Sequence, residues 1–160
     1  MFYYLFFIVL LVGAAWCAWR ISVADMRRRI IPDAYLFPLL IIGLLISVFY
    51  GDMYGVGPGD AAIGAAFGYG LGAGMGVLFE YLGRRRGDAD QIPIGFGDIK
   101  LLAVGGLWLG LGGLAWALIV ACASGAVWAR SRRTRFIPFA PFFVAGAVLY
   151  LLATVVLNLI

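Results

Sequence analysis

Long apolar runs separated by short polar connections set the pattern of this chain. The runs cover residues 2–21, 36–50, 61–82, 99–109, 114–129 and 139–160. A helix needs about 20 mostly apolar residues to cross a bilayer. The pattern therefore predicts an all-α integral membrane protein, six transmembrane helices in a single domain over residues 1–160. Sheets are excluded, because an open sheet edge in hydrocarbon leaves backbone groups unsatisfied and no alternating segment suggests a barrel. The run 99–109 is the short one, about 17 Å as a helix against a hydrocarbon core of about 30 Å. Three accommodations are open to it: extension through the glycines to Gly112, local thinning of the bilayer, or a turn back before crossing.

Composition agrees with the pattern. Of 160 residues, 64% are hydrophobic and 12% charged, about half the charge fraction of soluble domains; mean hydropathy is +1.03. Charge placement adds orientation. Arg20, Arg27, Arg28 and Arg29 surround the first connection; Arg84, Arg85, Arg86 and Lys100 flank the third; Arg130, Arg132, Arg133 and Arg135 fill the fifth. The second connection, "GDMYGVGPGD", and the fourth, "GLGG", carry no cation. All the basic residues thus fall on one side of a six-span chain, which predicts that side to be cytoplasmic and both termini outside. The net charge of +4 then reads as a topology signal facing anionic membrane lipid, and no nucleic-acid partner is expected.

The start "MFYYLFFIVLLVGAAWCAWR" lacks a basic leading region, so the first helix is expected to stay rather than be cleaved. Bulky Trp16 before Cys17 argues against a lipid-modified cysteine. Cys17 and Cys122 lie in apolar runs outside any CxxC pair, and both are expected to be small buried hydrophobes. The chain has no histidine, so acid–base chemistry falls to Asp, Glu, Lys, Tyr or water, and no metal or cofactor is expected. In the third run, Gly64, Gly68, Gly72 and Gly76 recur every four residues, with Gly70 and Gly74 as a second pair. Such spacing predicts close helix packing in lipid; freedom for the helix to shift is the other reading. Glu80 is expected to reach the interface.

Each of the remaining carboxylates needs a reason in so apolar a chain. Asp52 and Asp60 fall outside, Asp60 placed to cap the third helix. Asp88 and Asp90 lie in a polar loop, and Asp33 follows Pro32 where a negative charge suits a helix start. Asp25 and Asp98 remain, both at the cytoplasmic boundary. Each has a plain explanation: "GFGDIK" (residues 95–100) looks like a helix cap, and Asp25 can pair with Arg28 and Arg29 along one helix face. The chemical explanation is that two carboxylates facing one water share a proton, so one activates the water and the other protonates the departing group. Asp98 at a helix start is the easier of the two to keep ionised. Gly95 and Gly97 would let an extended substrate backbone come close.

At these residues the sequence resembles the type IV prepilin peptidases, membrane aspartyl proteases of the GxGD class. "GFGDIKLL" matches the G-x-G-D-x-K-L segment that opens the family's fourth helix. "DMRRRIIPD" is similar to its first aspartate motif, with Ile31-Pro32 in register, and "RFIPFAPFFVAGA" to the Pro-Phe-x-Pro segment opening the last helix. Order, spacing and span count agree over essentially the whole chain. The resemblance implies that Asp25 and Asp98 are the catalytic dyad of a protease with no metal or cofactor. It implies a prepilin or pilin-like precursor as substrate, cut at the cytoplasmic face of the bacterial inner membrane after a short leader. It places Lys100 near the dyad, as a tuning charge or as an interfacial anchor, and has Pro138 and Pro141 shape the adjoining helix.

Departures narrow the resemblance. Larger members carry a cytoplasmic segment with paired CxxC zinc motifs and some N-methylate the new pilin terminus; this chain looks like the small Flp/Tad type, and methyl transfer is not expected. Ile30 replaces a polar residue usual before Ile-Pro, and Ala140 a frequent glycine. Ala24 stands where signal peptide peptidases and presenilins have Tyr, so general intramembrane cleavage is disfavoured. The rival readings are a non-enzymatic membrane assembly subunit of a pilus or secretion system, and a transporter. A transporter needs ionisable groups at mid-membrane, and none falls there. Oligomeric state is not legible.

Overall fold

A computed structural model describes residues 2–86, 95–133 and 137–159. Five helices account for nearly all of them: α1 (Phe2–Arg28), α2 (Asp33–Tyr54), α3 (Pro58–Arg86), α4 (Phe96–Arg132) and α5 (Phe139–Leu159). All five are long and apolar enough to cross a membrane, and no strand occurs among the described residues. Asp88, Asp90 and Arg135, read above as loop residues, lie outside them.

Helix ends follow backbone chemistry, and the end of α1 and both ends of α2, α3 and α4 fall beyond the apolar runs. α1 continues through Asp25 to Arg28, where Arg29 turns left-handed (φ 54°) and its N–H closes on the Asp25 carbonyl at 2.9 Å. Gly55 ends α2 in the same way, with φ 85° and a bond to the Gly51 carbonyl. Pro58 opens α3 at the position that needs no amide donor. Asp60 therefore sits in the first turn of α3 and is not its cap, which corrects the expectation.

The long α4 resolves the question raised by the short run. Thirty-seven helical residues would extend about 55 Å if straight, but Gly110 interrupts them with φ 64° and ψ −173°. Contacts on the two sides show a reversal. Gly105 lies against the Phe143 ring, while a Cβ on Gly146 would sit 2.8 Å from the Ala117 carbonyl oxygen. Phe143 and Gly146 share one turn of α5, yet Gly105 and Ala117 would be about 18 Å apart on a straight helix. The chain doubles back at Gly110, which lies between the expected segments 99–109 and 114–129 and divides α4 into two arms.

Only glycine readily adopts that backbone conformation. Gly110→Ala should lower stability by about 1–3 kcal/mol although space for the methyl is open, a loss measurable as earlier thermal unfolding in detergent. A Gly112→Ala control, with only the Tyr150 hydroxyl near at 3.9 Å, should change little.

The packing directions alternate. α1 runs antiparallel to α2, with Tyr3 donating to the Phe49 carbonyl at one end (2.7 Å) and Arg20 to the Tyr35 hydroxyl at the other (2.8 Å). α3 runs antiparallel to the first arm of α4, Gly64 meeting the Gly106 carbonyl, Gly68 that of Leu102, and Gly72 the Ile99 Cα. Among the described residues Gly76 only grazes the Ile99 side chain, and Gly70 and Gly74 meet nothing, so three glycines make the close face. The second arm lies antiparallel to α5, Gly113 on Tyr150 and Gly125 on Ile137. Trp108 ties the first arm to α2 by donating to the buried Leu39 carbonyl at 2.9 Å.

The core is built from Ile21, Leu36, Ile46, Leu101, Leu114 and Phe143. Outside it, Val12, Val48, Val77, Ile119 and Val127 stand exposed, a surface suited to lipid rather than water. Cys17 is buried, but Cys122 is exposed, against expectation. In a membrane helix both faces are apolar, so hydrophobic context does not distinguish core from lipid. Glu80 is exposed and pairs with Arg84 at 2.6 Å, in keeping with an interfacial position.

Candidate active site

One end of the bundle collects the C-terminal ends of α1 and α3, the ends of both α4 arms remote from Gly110, and the N-terminal ends of α2 and α5. α1, α3 and α4 each finish there in basic residues: Arg27 and Arg28, Arg84 and Arg85, Arg130 and Arg132. Amid these cations lie the two aspartates singled out by the sequence.

Asp25, on the last turn of α1, points inward and is only 5% exposed. Its Oδ2 accepts the Ala140 N–H at 2.8 Å, and the Phe139 amide faces the same carboxylate. These are the first two residues of α5, whose amides have no partner within their own helix. Pro138 leads directly into that turn, half-buried, and Pro141 lies within it. The aspartate of α1 thus caps α5. Burial removes the alternative of a pair on the helix surface with Arg28, which is exposed; Arg29 still acts on the carboxylate through its charge.

Asp98 is the third residue of α4, half-buried. The cap is Gly95, whose carbonyl accepts the Asp98 and Ile99 N–H groups at 3.0 and 3.3 Å. Asp98 is therefore not itself the cap residue, and its Oδ2 lies back toward Gly95, at the third position from which an acid can close a capping box. The charge of Asp25 bears directly on Asp98. The two carboxylates, distant in sequence, are electrostatic neighbours.

The glycines divide their work. Gly95 is exposed; among the described residues only the Asp98 Oδ2 is close to a Cβ built on it, at 3.5 Å. Gly97 is covered: its Cβ would lie 2.9 Å from that of Ile31. Its missing side chain makes room for the α1–α2 connection, not for an approaching substrate as expected. Lys100 turns to α2, its Nζ donating to both oxygens of Asp33 at 2.9 and 2.8 Å. Asp33 lies in the first turn of α2, as anticipated, but its pairing with Lys100 was not. Nothing in the spacing chooses one partner from twelve cations.

The Ala140 and Phe139 amides were also missed. The prolines flanking them marked a helix start, but a backbone donor leaves no trace in residue type. Among the described residues no three His, Cys, Asp or Glu side chains gather as a ligand set. Between α1, α4 and α5 an apolar cavity of about 450 Å³ opens along Ala14, Ala18, Leu101, Gly105 and Phe143. Leu101 is one turn beyond Asp98 and Phe143 one turn beyond Ala140, so the cavity begins next to the carboxylates.

The model of the type IV leader peptidase family matches residues 11–130. The chain is 34% identical over 132 residues to a prepilin leader peptidase/N-methyltransferase of Burkholderia pseudomallei (strain 1026b), covering 78% of this chain and 40% of that one. It is 33% identical over 134 residues to the protein of that name from Xanthomonas campestris pv. campestris, covering 79% and 44%. With the Escherichia coli (strain K12) protein it shares 30% identity over 139 residues, covering 82% and 57%. The chain spans about two fifths to three fifths of the length of these relatives. No solved structure gives a significant match.

Proposed function

The chain belongs to the type IV leader peptidase family, and from that membership we propose that it is a membrane aspartyl endopeptidase cleaving the leader from prepilin or pilin-like precursors. The observation that carries the catalytic reading is the buried Asp25, held by the Ala140 amide with its charge bearing on Asp98. In this mechanism a water sits between the two carboxylates. One accepts the water's proton as it attacks the scissile carbonyl, and the other delivers the proton the departing nitrogen needs. The exposed Gly95 backbone suits an extended leader junction, and the apolar cavity beside Leu101 and Phe143 suits an apolar segment following it.

Alternating helix directions and the reversal at Gly110 support a six-segment arrangement in the inner membrane. The basic residues at the carboxylate end support a cytoplasmic active site and outward termini. Methyl transfer, the second half of the relatives' names, forms no part of the proposal.

Cleavage is the test. The purified chain in detergent, given a synthetic pilin-precursor peptide spanning its leader junction, should release a product whose new terminus mass spectrometry locates. Precursors left whole by a folded chain would favour the non-enzymatic assembly subunit instead.

A further inference from the structure

The connection between α1 and α2 is docked onto the first turn of α4 at two points. Ile31 fills the space a side chain on Gly97 would occupy, 2.9 Å from Cβ to Cβ. Two residues further on, Asp33 receives both hydrogen bonds from Lys100, at 2.9 and 2.8 Å. Pro32 lies between the docking points with φ −73° and ψ 124°, so the ring restricts the backbone joining them. On the α4 side the docking points, Gly97 and Lys100, bracket Asp98. On the other side, the left-handed turn at Arg29 connects the docked segment to the helix end that carries Asp25, its amide bonded to the Asp25 carbonyl.

We propose that Ile31, Asp33, Gly97 and Lys100 form a clamp that sets the separation of Asp25 and Asp98, with Asp33 and Lys100 as positioning residues of the site. The inference rests on the dyad reading above and adds what holds the dyad in register. The ion pair itself is about half exposed, and exposed pairs contribute little to global stability. Its two short contacts, though, hold the first turn of α4 at a fixed distance from the connection. Misplacing a reacting group by about 1 Å costs on the order of 100-fold in rate. A loss of turnover without a loss of fold is therefore the signature of the clamp.

The experiment uses the full chain in detergent and a synthetic pilin-precursor peptide that the wild type cleaves. Asp33→Asn and Lys100→Met should each lower kcat by roughly 10- to 100-fold, with KM within about twofold and the thermal unfolding midpoint unchanged. Exchanging the charges in Asp33→Lys/Lys100→Asp should recover part of kcat. Recovery is incomplete because a cation in the first turn of α2 opposes that helix's dipole. Lys100→Arg, which can also bond both oxygens, should retain most of the rate and guards against a Lys100→Met chain that does not fold.

Unchanged kcat in both single variants, or an exchange no better than the worse single variant, would overturn the clamp. Lys100→Arg as inactive as Lys100→Met would overturn it too, assigning Lys100 a direct chemical role. Failure of the dyad reading looks different: Asp25→Asn or Asp98→Asn would then cleave normally, whatever happens at Asp33 and Lys100.

Discussion

Asp25→Asn and Asp98→Asn should each reduce leader cleavage by about 10²–10⁴-fold, the range for removing one member of an acid–base pair, while leaving the chain folded. The amide substitution removes the ability to exchange a proton but retains an oxygen where the carboxylate stood. At Asp25 that oxygen can still accept the Ala140 N–H, which is otherwise buried and bonded at 2.8 Å. Asp25→Ala should behave differently. It leaves the α5 amides without their buried partner, a penalty of about 1–3 kcal/mol, so it should be both inactive and visibly destabilised.

Asp98→Ala should be inactive with a smaller effect on stability, because the half-buried Asp98 is not the cap and the Gly95 carbonyl still closes the turn. Product formation on gels and thermal unfolding in detergent, measured side by side, check both halves. Undiminished cleavage in either Asn variant would remove that aspartate from the mechanism.

The second large effect is expected on the glycine face of α3. A methyl on Gly68 would run into the Leu102 carbonyl, with the Leu102 carbon at 2.8 Å and the Ala103 nitrogen at 3.2 Å. On Gly64 it would run into the Gly106 carbonyl, with Gly110 Cα 3.1 Å away. These neighbours are backbone and cannot swing aside, so α3 and the first arm of α4 must separate. Gly64→Ala and Gly68→Ala should each cost about 1–3 kcal/mol or more, the scale of overpacking in a close-packed interior. Cleavage should fall as well, because the arm that moves carries Asp98 in its first turn.

Gly70→Ala and Gly74→Ala supply the control. They lie on the same helix with the same chemistry, but nothing stands within 4 Å of the added carbon, and alanine is the better helix former. Both should be neutral or slightly stabilising. Equal damage at all four positions would mean that the glycines serve helix flexibility rather than contact.

The glycine row also marks how far the residues alone could be read. Four-residue spacing identified a close packing face correctly, but it could not separate Gly72 from Gly76, nor exclude the Gly70 and Gly74 pair. Which small residue meets a neighbour depends on the crossing geometry of two helices, and that is not a local property. Asp60 failed as a cap for a local reason: Pro58 starts α3 earlier than the apolar run suggests. Cys122 failed because lipid and protein interior are equally apolar.

The apolar runs and the one-sided cations sufficed for an all-helical membrane chain, for a break between residues 109 and 114, and for Asp25 and Asp98 sharing one side. Those conclusions rest on short-range terms, the transfer of side chains to lipid and the placement of charge, which each residue carries by itself. Only the folded bundle decided that Asp25 holds the α5 amides, that Ile31 takes the place of a Gly97 side chain, and that Lys100 belongs to Asp33. Those are pairings between distant segments. They arise where helices already driven together by packing must satisfy the amides and charges left at their ends.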